Sequence, residues 1–360
     1  MSHPPIQIGP LTIDPAAILA PMEGITDRAF RRMIRSLGGC GLTVTEFVSS
    51  DQLAKQNRRA WQMAELDPDE HPVGIQIYGR RPDNMALAAR YCADLGADLV
   101  DLNLGCPSKS VTGGCSGSAL MREPALAREM FAAVKAAIDL PMTVKMRLGW
   151  DADSMNAAEI ARIAEGEGAS MVTVHGRTRM QMYRGAADWK AIAAVREAVS
   201  IPLIVNGDIL TVEDAVAALA ASGADGVMVG RGALRDPWIL RRIGDHFAGR
   251  APYSPSLDDR CEHLLAYFEY ITAEAKSERH ACGRMKKVTG FFTRGLPYGA
   301  AVRDEIFHSF TIEDIRAAVR TYFTRLADEG IDDGFVKVHD DDAEHYQSGD
   351  DRTLNRRVGS

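Results

Sequence analysis

Short apolar runs recur along the chain, each followed by a stretch patterned like a helix. Eight runs stand out, at residues 18–22, 42–47, 73–77, 99–103, 142–146, 171–175, 203–206 and 226–230. Most are built of Val, Ile and Leu without polar alternation, as strands covered on both faces of a parallel sheet are. Between them, residues 83–95, 125–138, 156–167, 189–199 and 212–222 carry apolar positions at helical spacing. Gly96, Gly168 and Gly223 follow three of these helices, where a C-cap glycine falls. Eight strand-then-helix units in about 230 residues predict an α/β fold closed as a (β/α)8 TIM barrel rather than an open sheet.

Beyond residue 248 the pattern changes. Residues 251–256, Ala-Pro-Tyr-Ser-Pro-Ser, read as a linker. Residues 258–275, 279–294 and 312–327 predict three helices of a small bundle, with Thr311 and Asp314 marking the start of the last. The expected organisation is a catalytic barrel over 1–248, a helical domain over 257–330 and a disordered tail over 331–360. In that tail Asp340-Asp341-Asp342 and Arg356-Arg357 give no core to bury.

A hydrophobic content of 46% and a charged content of 25% suit a folded globular chain with ample core. Taken alone, the net charge of −7 argues against a nucleic-acid partner, but local patches count for more where charge is unevenly spread. Between Lys276 and Arg303 there are seven basic residues against one acid, Glu278, a local charge of +6. Such a patch, with Lys286, Lys287 and Arg294 as its candidates, can grip phosphates without reading sequence. An ordinary solvated helix face explains it too. Arg31, Arg32 and Arg35 share one helical face after the first strand and read as surface charge or as an extension of that patch. Six cysteines, at 40, 92, 106, 115, 261 and 282, show no CxxC pair. That predicts no metal site and no disulfide framework, and fits a reducing cytoplasm. No signal peptide and no bilayer-spanning run is expected, hence no membrane partner.

Barrel enzymes place their chemistry at the C-terminal ends of the strands. Nearly every run here ends on a polar side chain: Glu23, Glu46, Gln76, Asn103, Lys145, His175, Asn206 and Arg231. Asn206-Gly207-Asp208 and Gly230-Arg231-Gly232 follow strands seven and eight, the usual barrel phosphate site. Glycine lets the backbone approach a phosphate there, and Arg231 can pair with it bidentately. Lys145 is a strand cation that needs a partner. It could form a Schiff base or hold negative charge on a ring, and His175 could donate to that ring or be a satisfied core histidine. Cys106, bracketed by Gly105 and Pro107, sits in a polar, glycine-rich loop over residues 103–118. It could serve as nucleophile or proton donor, and Cys115 in the same loop competes for the role. Cys40, Cys92, Cys261 and Cys282 fall on or near predicted helices and read as structural.

Several segments carry a resemblance. They are Ala20-Pro-Met-Glu-Gly-Ile-Thr-Asp27, Asn103-Leu-Gly-Cys-Pro-Ser-Lys109, Val144-Lys-Met-Arg-Leu-Gly-Trp150, Val174-His-Gly-Arg-Thr178, Asn206-Gly-Asp208 and Gly230-Arg-Gly232. In order and spacing they resemble the tRNA-dihydrouridine synthases over residues 9–323, and around residues 290–295 the bacterial B type. One departure is that only Lys109 follows the Cys-Pro step, with Ser110 where the B type usually has a second lysine. The resemblance implies a flavin-dependent oxidoreductase that binds FMN, takes electrons from NADPH in passing, and reduces uridines of tRNA to dihydrouridine. It implies that Pro21, Met22 and Glu23 lie along the flavin and that Gln76 meets the ring edge. Lys145 and His175 would hold the N1–C2 carbonyl side. Asn206, Gly207, Asp208, Gly230 and Arg231 would hold the ribityl chain and phosphate. Cys106 matches the catalytic cysteine, delivering a proton to C5 while hydride reaches C6. Asn103 would orient the uracil, Arg177 and Thr178 would meet base or backbone at the mouth, and the enzyme would act as a monomer.

Other readings have distinct signatures. The same chemistry could act on ribosomal RNA. A small-molecule flavin reductase, such as a dihydroorotate or enoate reductase, would not need the basic helical region. A Schiff-base aldolase centred on Lys145 would be colourless and trapped by borohydride. Pure RNA binding would leave the polar strand ends unexplained.

Overall fold

A computed structural model of the chain describes residues 3–113 and 116–331. Eleven strands are present among them. β1 (Ile6–Ile8) and β2 (Leu11–Ile13) form an antiparallel hairpin. The barrel strands are β3 (Ala17–Leu19), β4 (Leu42–Val44), β6 (Val73–Tyr78), β7 (Leu99–Leu104), β8 (Met142–Arg147), β9 (Ala169–His175), β10 (Leu203–Asn206) and β11 (Gly226–Val229). These eight are parallel, and the β11–β3 and β4–β6 pairings close the ring. β5 (Val48–Ser49) is a short addition beside the end of β6. The closed eight-stranded barrel predicted from the apolar runs is thus the observed fold.

The runs form strands because both faces are covered: nearly every residue of β6 through β11 is buried. Helices follow the strands, among them Arg28–Leu37, Pro82–Asp94, Pro124–Lys135, Ala157–Gly166, Val212–Ser222 and Ile239–Phe247. Gly223 ends its helix in the left-handed conformation with φ 67°, as the C-cap reading requires. The stretch expected as a helix over 189–199 is shorter, a turn at Lys190–Ile192 running into Ala193–Arg196. The hairpin was not anticipated. It presents Ile6, Ile8 and Ile13 to the barrel, and Ile6 packs at Gly226, where a Cβ would come within 2.6 Å of its Cδ1. Gly226 opens β11, so the hairpin covers the N-terminal end and leaves the C-terminal end open.

The C-terminal region contains four helices, not three: Leu257–Glu274, Glu278–Thr293, Gly299–His308 and Ile312–Asp328. Ser256 and Asp259 start the first with a reciprocal capping box. The bundle seats on the barrel through aromatic contacts. Phe30 meets Tyr267 and Phe291, and the fully buried Trp238 stands edge-on to Phe292 at 5.4 Å. Arg284 donates to Asp27 at 2.9 Å and pairs with Glu274, while Arg28 pairs with Glu274 at 3.0 Å. Of the expected tail over 331–360, all but Ile331 lies outside the described residues. No described helix is long and apolar enough to cross a membrane.

Candidate active site

Side chains alternate along a strand, so residues two apart share a face. On β6 to β10 the inward face at the open end is polar. Lys145 lies in register with Asn103 and Thr173, and His175 with Arg147 and Asn206. Gln76, Asp101, Asn103, Thr143, Arg147, Thr173, His175 and Asn206 are all buried. A core of this kind is costly unless its polar atoms are paired with each other or with a ligand.

Most are paired. Gln76 donates to Asp101 at 2.5 Å and accepts from Asn103 Nδ2 at 2.7 Å. Lys145 Nζ donates to Asn206 Oδ1 at 3.1 Å, and Asn206 Nδ2 to the Met228 carbonyl at 2.8 Å. Among the described residues no carboxylate lies within ion-pairing distance of Lys145. Protein surrounds its ammonium and burial lowers its pKa to about 8, yet the side chain keeps some accessible surface. His175 is held well below its usual value by burial, then by Arg147, Lys145, Arg177 and Arg231, so its imidazole is neutral.

The loop after β7 presents Cys106. Asn103 Oδ1 accepts the N–H groups of Gly105 at 3.0 Å and Cys106 at 2.8 Å. Ser118 donates its N–H and its hydroxyl to the Cys106 carbonyl, at 3.2 and 2.9 Å. Arg147 donates to the Gly105 carbonyl at 2.9 Å and to the carbonyls of Thr178 and Met182, tying this loop to the one after β9. Cys106 is 9% exposed, and burial pushes its thiol up to about 11. A thiol so placed is protonated near neutrality, which suits a proton donor and not a thiolate nucleophile. The competing Cys115 lies outside the described residues. The other four cysteines are at least half-buried, with Cys40 pushed up to about 11 by burial.

After β10, Gly207 has φ 114° and Asp208 φ 53°. A Cβ at Gly207 would sit 2.6 Å from His175 Cδ2, so only glycine lets the chain pass beside that ring. The Asp208 carboxylate is fully engaged: Arg177 Nη1 donates at 2.9 Å, Ala187 N–H at 2.8 Å and Arg231 at 3.1 Å. Arg177, hydrogen bonds and charge together, holds that carboxyl below its usual range despite burial. Asp208 thus braces two arginines while its own side chain stays 27% exposed. Met22 Sδ and Ala20 Cβ line Gly230, bringing the segment after β3 beside the turn after β11. Thr26 braces that segment through the Met22 N–H at 2.9 Å, and Glu46 accepts from the Gly24 N–H. Pro21 and Met22 are half-buried there and Glu23 is exposed.

Some expected residues sit elsewhere. Arg177 and Thr178, expected at the mouth against substrate, are only 2% and 4% exposed. The guanidinium of Arg177 is taken by Asp208 and the carbonyls of Arg184 and Gly185, beside the His175 ring at 3.4 Å. Arg31, read as surface charge, is 1% exposed and paired with Glu70, and it also donates to the Thr26 carbonyl at 2.9 Å. On the basic helix, Lys287 donates to the Gly24 carbonyl at 3.0 Å and Lys286 to the Phe307 carbonyl at 2.8 Å. Arg294 is half-buried. The helix therefore spends Arg284 and Lys287 on the barrel. Arg147 and Asp101 belong to the site and were not singled out from the sequence. Each lies two residues from a named strand-end residue and so shares its inward face.

The donor set fits an electron-rich, phosphate-bearing ring. Among the described residues, the buried Lys145 ammonium has only a neutral amide as partner, leaving it spare donors, and the buried Thr173 hydroxyl has none. Two arginines share one carboxylate beside the Gly207 turn.

A closed parallel barrel with a protonated thiol, a buried cation and a neutral imidazole at its open end defines an α/β-barrel enzyme. The dihydrouridine synthase family model matches residues 18–327, and the chain belongs to that family. It is 51% identical over 269 residues to a probable tRNA-dihydrouridine synthase of Rhodobacter capsulatus, covering 74% of this chain and 82% of that one. It is 42% identical to a probable tRNA-dihydrouridine synthase of Rickettsia bellii, covering 84% and 92%. It is 39% identical to tRNA-dihydrouridine synthase B of Xanthomonas campestris pv. campestris, covering 89% and 96%. Among solved structures, morphinone reductase in complex with tetrahydroNAD is similar at a TM-score of 0.49 and 14% identity over 71% of this chain and 93% of that one. So loose an overlay bears on neither site nor substrate.

Proposed function

We propose that this enzyme reduces the C5–C6 double bond of uridines in tRNA, with FMN bound in the barrel mouth and NADPH as the transient reductant. The observation that carries the reading is Cys106, a buried thiol kept protonated, its loop held by Asn103, which lies in register with Lys145 at the open end of the barrel. When bound, FMN supplies the hydride that reaches uracil C6. Cys106 gives its proton to C5, so the double bond becomes a single bond and NADPH accounts for both electrons. Lys145 and the neutral His175 would hold the carbonyl edge of the flavin, with Gln76 at the ring and Pro21, Met22 and Glu23 along it. Asn206, Gly207, Gly230 and Arg231 would hold the ribityl chain and phosphate, with Asp208 keeping Arg231 in place. Asn103 has one amide hydrogen beyond its bond to Gln76 and would orient the uracil edge.

A uridine stacked within RNA cannot reach a barrel mouth, so its base must be extruded at a cost of a few kcal/mol. The basic helix supports that: phosphate contacts from Lys286, Arg294 and the donors Lys287 keeps beyond its bond to Gly24 would offset part of the cost without reading sequence. Domain roles follow, with catalysis in residues 1–248 and RNA binding in 257–330. The reading places a monomeric enzyme in the cytoplasm, where tRNA is.

The test is to incubate the purified protein with tRNA and NADPH, digest the RNA and measure nucleoside masses. The expected result is uridine carrying one added H2. A yellow protein that oxidises NADPH yet leaves every tRNA uridine unchanged would overturn the substrate assignment.

A further inference from the structure

The barrel interior holds one carboxylate that the proposed reaction does not use. Asp101 lies on β7 two residues before Asn103, on the same inward face, and is 2% exposed. Its Oδ1 accepts from Thr143 Oγ1 at 2.6 Å and its Oδ2 from Gln76 Nε2 at 2.5 Å. Gln76 Oε1 accepts from Asn103 Nδ2 at 2.7 Å, and Asn103 Oδ1 accepts the N–H groups of Gly105 and Cys106. A primary amide has one accepting and one donating end, and its neighbours decide which way it turns. Burial raises the Asp101 carboxyl, and the hydrogen bonds from Thr143 and Gln76 and the charge of Lys145 oppose it; as a carboxylate, this end of the chain can only accept. The two backbone N–H groups at the other end can only donate. The two amides between them satisfy both ends in a single sense.

We infer that Asp101 is a positioning residue for the Cys106 loop. By accepting from Gln76 it fixes the sense of both amides and so keeps the Asn103 oxygen against the Cys106 N–H. Its consequence for catalysis rests on the reading of Cys106 as proton donor. The hydrogen-bond relay itself does not.

The relay can be tested by reversing it. Asn103→Asp keeps an acceptor for the Cys106 N–H but deletes the donor that faces Gln76. Whichever way Gln76 turns, one of its ends then meets a carboxylate that it cannot satisfy. Adding Asp101→Asn restores every bond in the opposite sense. The new amide at 101 donates to Gln76, and the turned Gln76 donates to the carboxylate at 103. Asp101→Asn alone is mild, because its oxygen can stay toward Gln76 while Thr143 accepts.

The measurement is hydrogen exchange of the peptide containing the Cys106 amide, on the full chain as purified, without RNA or NADPH. Asn103→Asp should lose roughly ten- to hundredfold in protection, the effect of one buried hydrogen bond left unmade. The double substitution should recover most of it. If Asn103→Asp leaves protection unchanged, or Asp101→Asn fails to restore it, the relay is wrong. If Asn103→Asp alone does not fold, recovery of a folded protein by the second change supports the relay, and failure of both overturns it. A wrong tRNA assignment leaves this exchange result untouched, and a failed relay leaves that assignment standing.

Discussion

Lys145→Met removes a cation whose charge changes within the working pH range. Burial brings its pKa down to about 8, with Arg147 lowering it further and Asp101 opposing. About nine-tenths of the side chain is then charged at pH 7 and about one-tenth at pH 9. With the charged form holding the flavin edge, the apparent Kd for FMN should rise about tenfold across that interval, or about 1.4 kcal/mol. The neighbours leave this window clear. Cys106 titrates at about 11, Arg147 is lowered only to about 10, and His175 is already neutral. The assay is quenching of FMN fluorescence by flavin-free protein at pH 7, 8 and 9, for wild type and Lys145→Met. Wild type should weaken with pH, and the variant should bind more weakly at pH 7 and stay flat. A wild-type affinity constant from pH 7 to 9, or the same slope in the variant, refutes the assignment. Stability of the flavin-free protein should move the other way. The unfolded chain, with its lysine pKa near 10.4, binds more protons at this site above pH 8. Stability from Lys145 therefore rises as pH climbs from about 8 towards 10, and the variant lacks that rise.

Two other substitutions separate interior from surface. Arg31→Met leaves Glu70 buried without its cation and should cost about 3–5 kcal/mol, which for about 330 ordered residues lowers the melting midpoint by about 4–7 °C. The neighbouring Arg32, 49% exposed and lying over Tyr270, should lose no more than about 2 °C as Arg32→Met; equal shifts would contradict the burial argument. Gly207→Ala must place a methyl group 2.6 Å from His175 Cδ2 at a φ of 114°. It should displace His175 and weaken FMN binding at least tenfold, by a strain of about 2 kcal/mol or more; unchanged binding in the titration counts against the cradle.

The barrel was legible because parallel strands buried on both faces leave uninterrupted apolar runs, and the polar residues ending them mark the open end. What the sequence hid depends on partners far along the chain. Arg31 looks like its neighbour Arg32 until the fold brings Glu70 to it across 39 positions. Arg177 reads as a rim residue until Asp208, 31 positions on, draws it inward. The hairpin's strands have three residues each, too few to show a period. The helix Gly299–His308 buries only Gly299, Val302 and Ile306, a weak stripe after Pro297. Asp101 and Arg147 were within reach, since the strand period puts them on the faces of Asn103 and Lys145.

In the proposed mechanism Cys106 delivers a proton in the second half of the reaction and takes no part in the first. Stopped-flow measurement of Cys106→Ala tests it, first with NADPH alone and then with tRNA added to the reduced protein. Flavin bleaching by NADPH should match wild type. Reoxidation by tRNA, with dihydrouridine as its product, should slow by about 10²- to 10⁴-fold, the usual contribution of a positioned acid. Reoxidation at the wild-type rate would remove Cys106 from the mechanism.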